Sequence, residues 1–501
     1  MLKSIKEQIL TPYCRCNATT DLVVKLLVVI ICIVTVMIYN QSYSQGEDIK
    51  YPLEGSFEEY DPYTQQFDAF MKGRLSFDYI PDENFMSLEN PYDPDAREED
   101  TFLYDRAYYN GRYYSYFGTA PIFTVIYPYY FIMGRLPSGG VIQTVYMTLF
   151  AVFFPLLIMN LAKKLSSRLT SPMAMIITYT AYLSSLNLLM GRGDKPFYYI
   201  AATSAMAFLA MFMFFFYKGI CAERFRNRCI YLLAAGISYV LCFHSRINVA
   251  FAAVFFIIPM IIFGIIFKKR EINKIRILAE LCFLGIPVVI GLTVSLIYNY
   301  VRFDNPMEFG ATYQLTVADV STYALDIKEI GYAIYCYYIA PIEQSMINDS
   351  LMLIHTVPFT LDRYLYVDSY FGIMRIPFML FSLAVPFVCA RKSTMPAVRV
   401  TLISASVGTV VVSWIDFCMG GLIFRYLCDI SVILAVIASV CAFKCVDGIR
   451  GIGEIRVRKI LLIVIAVVFI VFIYMVLRVM AADDYNLFKL HENSLFYKLF
   501  N

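Results

Sequence analysis

Charged residues are scarce in this chain: Asp, Glu, Lys and Arg make up 16% of its 501 residues, whereas hydrophobic residues make up 59%. A soluble protein has about 25% charged and about 45–50% apolar residues, so the shortage of charge excludes an ordinary soluble fold. The apolar residues form continuous runs of the length that an α-helix needs to cross a bilayer, about 20 residues. Membrane β-barrel strands instead alternate over short segments. We therefore predict an all-α integral membrane protein.

Histidine, paired cysteines and nucleotide motifs are also lacking. The three His residues are scattered, which disfavours a histidine metal site. There are 13 cysteines, but most lie inside apolar runs and the polar stretch 41–116 has none, so we predict no disulfide framework. No phosphate-cradling Gly-Lys-Ser/Thr loop and no dinucleotide fingerprint occurs. We expect no nucleic-acid partner.

The apolar runs predict about 11 transmembrane helices. The first run is longer than a typical signal-peptide core and is not followed by a small-residue cleavage site, so we predict that it is retained. The predicted spans are 22–39, 141–161, 172–190, 197–217, 229–243, 247–267, 277–297, 372–390, 399–415, 424–443 and 460–480.

The distribution of charge predicts the orientation. If the N-terminus is cytoplasmic, the short loops rich in Lys and Arg all lie inside and most acidic residues lie outside, as the positive-inside rule requires. We therefore predict a cell-membrane, multi-pass protein with a cytoplasmic tail 1–21, a membrane domain 22–480 and a short extracytoplasmic C-terminal tail 481–501.

Two long extracytoplasmic loops follow from this topology, 40–140 and 298–371. Within the first, the run 117–133 is apolar and aromatic but contains two prolines. Counting it as a span would place the basic loop after the next helix on the outside. We interpret it as an interfacial or re-entrant helix with its Tyr residues at headgroup depth. The second loop holds amphipathic stretches such as 327–340.

Acidic residues cluster shortly after the first helix, around Glu59 and Asp61. A carboxylate just outside the membrane could deprotonate an acceptor hydroxyl, and two carboxylates could share a divalent cation. For any single acid, a solvated loop position is the simpler interpretation. Asp61 is our first choice as a catalytic residue, because Pro62 fixes the backbone after it and aromatic residues flank it, and Glu59 is the second.

Three arginines lie at the predicted outer ends of helices: Arg246, Arg302 and Arg425. An arginine at hydrocarbon depth is costly and usually faces a partner or a water-filled cavity. Arg246 and Arg302 could instead snorkel to lipid phosphates, and Arg425 could pair with Asp429 four residues later. Taken together, the three predict a binding site for the phosphate of a lipid-linked substrate.

Tyrosines near these charges could stack on sugar faces, although most aromatic residues of such a protein belong to its core and interfacial belts. Our candidates for the substrate lining are Tyr63, Tyr116, Tyr298 and Tyr426.

The order of these features resembles membrane glycosyltransferases of the GT-C fold, and among them the protein mannosyltransferase and aminoarabinose-transferase type (glycosyltransferase family 39-like). In those enzymes the first outer loop carries an acidic pair, a Tyr four residues later and a short helix ending in Gly. Residues 59–63 and Gly73 occupy the corresponding places, and 116–121 falls where the family has its Pro-rich interfacial helix. The segments 298–313 and 421–426 look like an uncharacterised bacterial branch. The acidic pair is not contiguous here, so the base could be Glu59 or Asp61.

The resemblance implies transfer of a sugar from a polyprenyl-phosphate-linked donor to an extracytoplasmic glycan, lipid or protein. The carboxylate would act as general base for direct displacement with inversion, and the arginines would stabilise the departing phosphate. Membrane lipids are the other expected partner, and no cofactor is certain.

Two alternatives stay open: a transporter or flippase of a lipid-linked or anionic solute, and a non-catalytic GT-C-like protein of envelope assembly. The predicted spans carry almost no charge at their centres, which favours an enzyme over a transporter. The non-catalytic role also stays open, because fold does not imply function.

Overall fold

The computed structural model describes residues 11–41, 46–191, 196–266, 274–341, 344–347, 350–353, 357–361, 363–367 and 370–448. The predicted span 460–480 and the predicted tail 481–501 lie outside these ranges.

The described part of the chain is mostly helical and carries the helices of a multi-pass membrane protein. Eight of its helices are long and apolar enough to cross a bilayer, and each coincides with a predicted span. They cover Ala18–Asn40, Gly139–Leu165, Ser171–Met190, Phe197–Cys221, Ile247–Ile266, Lys274–Phe303, Pro396–Gly420 and Phe424–Gly448.

Including short helices, the α-helices are α1 (Ala18–Gln41), α2 (Pro62–Met71), α3 (Glu83–Met86), α4 (Tyr127–Met133), α5 (Gly139–Leu165), α6 (Ser171–Ser184), α7 (Phe197–Cys221), α8 (Phe225–Phe243), α9 (Ile247–Ile261), α10 (Lys274–Phe303), α11 (Ile330–Ile334), α12 (Val385–Ala390), α13 (Pro396–Gly420) and α14 (Cys428–Gly448).

Six short strands form three antiparallel pairs. Two of these pairs, β1–β4 and β2–β3, belong to the first long loop, and β5–β6 belongs to the second. The strands are β1 (Ile49–Lys50), β2 (Ala107–Tyr109), β3 (Arg112–Tyr114), β4 (Arg135–Leu136), β5 (Gln344–Ile347) and β6 (Ser350–Leu353).

The remaining predicted spans within the described ranges, 229–243 and 372–390, are helical but are not among these eight helices. The segment 229–243 lies inside α8, a helix of 19 residues that packs against α7 and α10. In the segment 372–390, a 3₁₀ helix of 8 residues, Pro377–Ala384, leads into α12, which has 6. Both begin next to a proline, and the 3₁₀ part rises further per residue than an α-helix does. The predicted count of 11 is therefore not confirmed within the described ranges.

The predicted interfacial helix is present as a short apolar helix over Ile122–Met133. Its first turn is a π-helix, Ile122–Ile126, and α4 completes it until Gly134 adopts a left-handed conformation (φ 69°). Its length is well below that of a span, which agrees with an interfacial or re-entrant helix.

The two long loops pack together, which the sequence did not predict. Leu315 of the second loop exchanges backbone hydrogen bonds with the first: its carbonyl accepts from Asp105 N (2.7 Å), and its N–H donates to Arg106 O (2.9 Å). Its side chain is fully buried in a small core with Phe85 and Tyr113 of the first loop. The loops therefore form one layer at one end of the bundle.

A buried ion pair ties three helices together. Arg228, which the charge pattern placed in a cytoplasmic loop, lies in the first turn of α8 with 2% of its surface exposed. Its Nε donates to Glu280 of α10 (2.5 Å), Nη2 donates to the second carboxylate oxygen, and Nη1 donates to the Ile220 carbonyl of α7 (3.1 Å).

Glu280→Gln is expected to destabilise the protein by about 3 kcal/mol or more, because the Arg228 charge stays buried without its counter-charge. Thermal unfolding of the purified protein in detergent measures this as a lowered midpoint. Glu223→Gln removes an exposed acid near the same helix ends and should leave the midpoint unchanged. Equal midpoints for both variants would contradict the role of the pair.

The predicted orientation can be tested with two exposed positions, Glu89 in the first loop and Lys164 in the last turn of α5. In a Cys221→Ser background, a membrane-impermeant maleimide should label Glu89→Cys on intact cells and Lys164→Cys only after permeabilisation, because basic loops stay cytoplasmic. The reverse labelling pattern would show that the predicted topology is inverted.

Candidate functional site

A cavity of about 370 Å³ opens at the end of the bundle that the loop layer covers. The starts of α7 and α9, the ends of α8, α10 and α13, and the turn before α14 form its wall, with segments of both loops. Its volume is in the range of small-molecule sites. The cavity brings together all three sequence-predicted arginines, Arg246, Arg302 and Arg425, and three of the four candidate tyrosines, Tyr116, Tyr298 and Tyr426.

Helix α10 presents two faces here because it continues to Phe303, beyond the predicted loop boundary at 298. Side chains three and four positions apart share a helix face. One face lines the cavity with Ser295, Tyr298, Asn299 and Arg302. The other carries exposed apolar side chains, Ile290, Val294, Ile297 and Val301. The same helix therefore contacts the cavity and the surrounding lipid.

Arg302 is held in place but has a donor to spare. Its Nη1 donates to the Ser115 carbonyl (2.7 Å) and its Nη2 to Asn299 Oδ1 (2.8 Å), while the guanidinium lies 3.8 Å from the Tyr298 ring centre. The side chain is 5% exposed, and its Nε has no hydrogen-bond partner. In the described ranges no carboxylate pairs with it. Such an unused buried donor favours an anionic ligand.

Arg425 lies against aromatic rings of the cavity wall. Its guanidinium lies 4.5 Å from the ring centre of Tyr198 and 5.5 Å from that of Tyr426. Among the residues that the structure describes, it has neither an ion-pair partner nor a hydrogen-bond acceptor. Aromatic faces stabilise a guanidinium without neutralising it, so the charge is available to a ligand.

The alternative pairing of Arg425 with Asp429 is wrong. Arg425 lies in a 3₁₀ turn, Phe424–Leu427, and α14 begins only at Cys428. Because a 3₁₀ turn has about three residues per turn, positions four apart do not share a face across this junction. Asp429 instead forms a bidentate ion pair with Arg246. The Arg246 Nε donates to Asp429 Oδ1 (2.5 Å), and its Nη2 donates to Oδ2 (2.8 Å). The Arg246 guanidinium also lies 4.9 Å from the Tyr426 ring centre.

The cavity has a carboxylate of its own that the sequence analysis missed, Asp416 near the end of α13. Its Oδ1 accepts a hydrogen bond from Asn248 Nδ2 (2.6 Å), and its Oδ2 is buried without a hydrogen-bond partner. The residue is 2% exposed. Asp416 lies one residue beyond the predicted span 399–415 but inside the membrane-spanning helix of the structure, Pro396–Gly420, where an acidic residue is itself a signal of function.

A second missed acid, Asp105, connects the loops to the cavity wall. It accepts hydrogen bonds from Tyr116 Oη (2.9 Å), from Tyr198 Oη and from Gln314 Nε2. Burial, together with the Asp105 charge, raises the pKa of Tyr116 well above its ordinary value. The phenol therefore stays protonated and donates to Asp105.

His244 at the cavity wall is neutral at pH 7, because burial lowers the pKa of its imidazole below its ordinary value. The turn that contains it touches the start of the interfacial segment at Gly118, where a Cβ atom would lie 2.1 Å from the His244 carbonyl oxygen. Only glycine allows this approach, by which the loop segment becomes part of the wall.

The predicted catalytic carboxylates lie elsewhere. Asp61 caps α2: its oxygens accept hydrogen bonds from Tyr63 N (2.8 Å), Thr64 N (3.2 Å) and Thr64 Oγ1 (2.7 Å). Glu59 is exposed in the preceding 3₁₀ turn. Neither belongs to the described cavity lining, and neither does the fully buried Tyr63.

Helix α2 nevertheless borders the cavity wall. The Tyr63 ring packs against Phe117, a lining residue, at 5.6 Å between ring centres. Asp61 is therefore separated from the cavity by one layer of aromatic side chains. No group of three or more His, Cys, Asp or Glu that could hold a metal ion occurs in the described ranges.

Comparison of the chain with protein-family models, with curated proteins and with solved structures gave no match.

Proposed function

We propose that this protein is a membrane glycosyltransferase of GT-C type, which moves a sugar from a polyprenyl-phosphate-linked donor to an extracytoplasmic acceptor. The observation that carries the proposal is the Arg425 guanidinium, which has no ion-pair partner among the described residues, in one cavity with Arg302, whose Nε has no hydrogen-bond partner. A phosphate supplies the missing negative charge, and the flat guanidinium fork suits its oxygens.

The position of the cavity supports a donor with a hydrocarbon tail. Arg302 on α10 faces the cavity, whereas Val301 beside it is 61% exposed on the lipid-facing side. A phosphate can therefore reach the arginines while its polyprenyl chain stays in the bilayer. The tyrosines of the wall offer faces on which a sugar ring can stack.

The chemistry requires a base for the acceptor hydroxyl and a stabilised leaving group. As the acceptor oxygen attacks the anomeric carbon, the bond from that carbon to the phosphate oxygen breaks and polyprenyl phosphate leaves. Negative charge accumulates on this phosphate, where preorganised donors such as Arg302 and Arg425 lower the barrier most. A general base must lie within hydrogen-bond reach of the acceptor proton. Asp416 lines the cavity and its Oδ2 accepts no hydrogen bond, whereas Asp61 lies outside the lining and already accepts three.

Arg425→Ala is expected to lower sugar transfer by about 10²–10³-fold, the usual cost of one donor to a developing oxyanion. Arg425→Lys should recover part of the loss, since it keeps the charge without the fork. Transfer is measured in membranes supplied with a panel of labelled polyprenyl-phosphate sugars. Arg112→Gln, an exposed loop position, is the matched control and should keep full activity. Equal activity of Arg425→Ala and the control would overturn the phosphate site.

The base is identified by comparing Asp416→Asn, Asp61→Asn and Glu59→Gln in the same assay. If Asp416 is the base, its variant should lose about 10²–10⁴-fold while Glu59→Gln stays near wild type. If Asp61 is the base, as the family resemblance implies, Asp61→Asn loses activity at an unchanged unfolding temperature. If Asp61→Asn loses activity only together with a lower unfolding temperature, Asp61 acts as a helix cap. Such a cap stabilises the folded protein by about 1 kcal/mol.

A control on the wild type separates the enzyme from a transporter. In proteoliposomes, transfer of the label from donor to acceptor supports the glycosyltransferase. Movement of intact labelled donor between leaflets without transfer would support the flippase instead. Binding of donor with neither outcome would favour a non-catalytic role.

A further inference from the structure

A second cavity, of about 820 Å³, lies at the opposite end of the bundle. Helix α14 begins beside Arg425 and ends at Gly448, which lines this second cavity. Since α14 has 21 residues and a helix rises about 1.5 Å per residue, about 30 Å separates the two cavities. This one lies on the predicted cytoplasmic side, and we call it the basic pocket.

Cationic side chains dominate the basic pocket. Six basic residues line it against one acidic residue, Asp447. The basic residues come from the end of α5 and the turn after it, from the turn after α12, and from the last part of α14: Lys163, Lys164, Arg168, Arg391, Lys392 and Lys444. The positive-inside rule accounts for basic residues in each of these segments, but not for their convergence on one depression.

The single acidic residue of the lining, Asp447, already accepts hydrogen bonds from the protein. Asp447 Oδ1 accepts hydrogen bonds from Ser166 Oγ (2.7 Å), Ser167 N (3.1 Å) and Arg168 N (3.2 Å). It thereby fixes the turn after α5, and its Oδ2 lies 3.9 Å from Lys444 Nζ. The carboxylate is thus engaged in shaping the pocket and offsets little of the positive charge.

Some of the cations have partners and others have none. Arg391 Nη1 donates to the Lys444 carbonyl, Lys444 Nζ donates to the Leu165 carbonyl, and Lys163 pairs with Asp21 (Nζ to Oδ2 3.1 Å). Gly448 lets the Arg391 guanidinium lie against its backbone, where a Cβ atom would be 2.3 Å away. The exposed Lys164 and Lys392 have no ion-pair partner among the described residues. Cations that line one pocket repel one another, and a bound anion relieves that repulsion.

We infer that the basic pocket binds a phosphate-bearing anion, either the headgroup of an anionic phospholipid or a soluble phosphate ester. Basic pockets between transmembrane helices at the cytoplasmic side are suited to anionic headgroups. Arg391 would offer its guanidinium, the exposed Lys164 and Lys392 their ammonium groups, and Ser167 and Ser393 their hydroxyl donors. This inference is independent of the proposed transferase activity.

Native mass spectrometry of the delipidated full-length protein in detergent tests the inference. In the lipid arm, phosphatidylglycerol should bind at least about tenfold more tightly than phosphatidylcholine. In the soluble arm, glycerol 3-phosphate is titrated alone and as a competitor. Binding in the lipid arm only identifies a headgroup site, and binding of the free ester alone identifies a soluble ligand.

The variant pair Lys164→Gln with Lys392→Gln should weaken binding at least about tenfold. Both side chains are exposed, so the fold should persist, and an unchanged unfolding temperature without lipid verifies it. The matched control, Arg224→Gln with Arg226→Gln, removes two exposed charges on the same predicted side and should change binding less than twofold. Equal weakening in both pairs, or no anion binding in either arm, would overturn the inference.

Discussion

The bidentate ion pair between Arg246 and Asp429 is the interaction on which the candidate site depends. It joins the turn between α8 and α9 to the first turn of α14, so it fixes how three helix ends meet. Tyr426 packs on the Arg246 guanidinium and also approaches that of Arg425. Because Asp429 pairs with Arg246, Arg425 has no ion-pair partner among the described residues. One arginine therefore serves the architecture, and the other keeps an unpaired guanidinium in the cavity.

A similar division applies to the carboxylates. Asp61 and Asp447 both accept hydrogen bonds from backbone N–H groups. Asp61 thereby caps the start of α2, and Asp447 fixes the turn after α5. Asp105 accepts three side-chain donors and joins two loops to α7. Asp416 lines the cavity and has one buried oxygen that accepts no hydrogen bond. A buried carboxylate oxygen without a donor is costly, so this oxygen is a candidate for contact with a ligand.

Much of the architecture could be predicted from short-range patterns. Runs of apolar residues predicted the eight helices that are long and apolar enough to cross a bilayer. The two prolines and the short length of the run 117–133 predicted the interfacial helix. The clustering of Arg246, Arg302 and Arg425 in one cavity also followed from their positions at helix ends on one predicted side. In the segment 372–390, hydropathy did not register the conformational limits that Pro377 and its neighbours impose, and a 3₁₀ helix precedes α12 there.

Hydropathy and helix periodicity are local properties, so they were enough to predict a helical membrane protein and to single out three arginines on one predicted side as candidates for one site. Which charges pair is a property of the fold. Arg246 and Asp429 are 183 positions apart, Asp105 and Gln314 are 209 apart, and Asn248 lies 168 positions from Asp416. No local pattern specifies such contacts, since only the packing of helices and loops brings these side chains together. The same packing separated Asp61 from the cavity and turned the basic loops into a pocket.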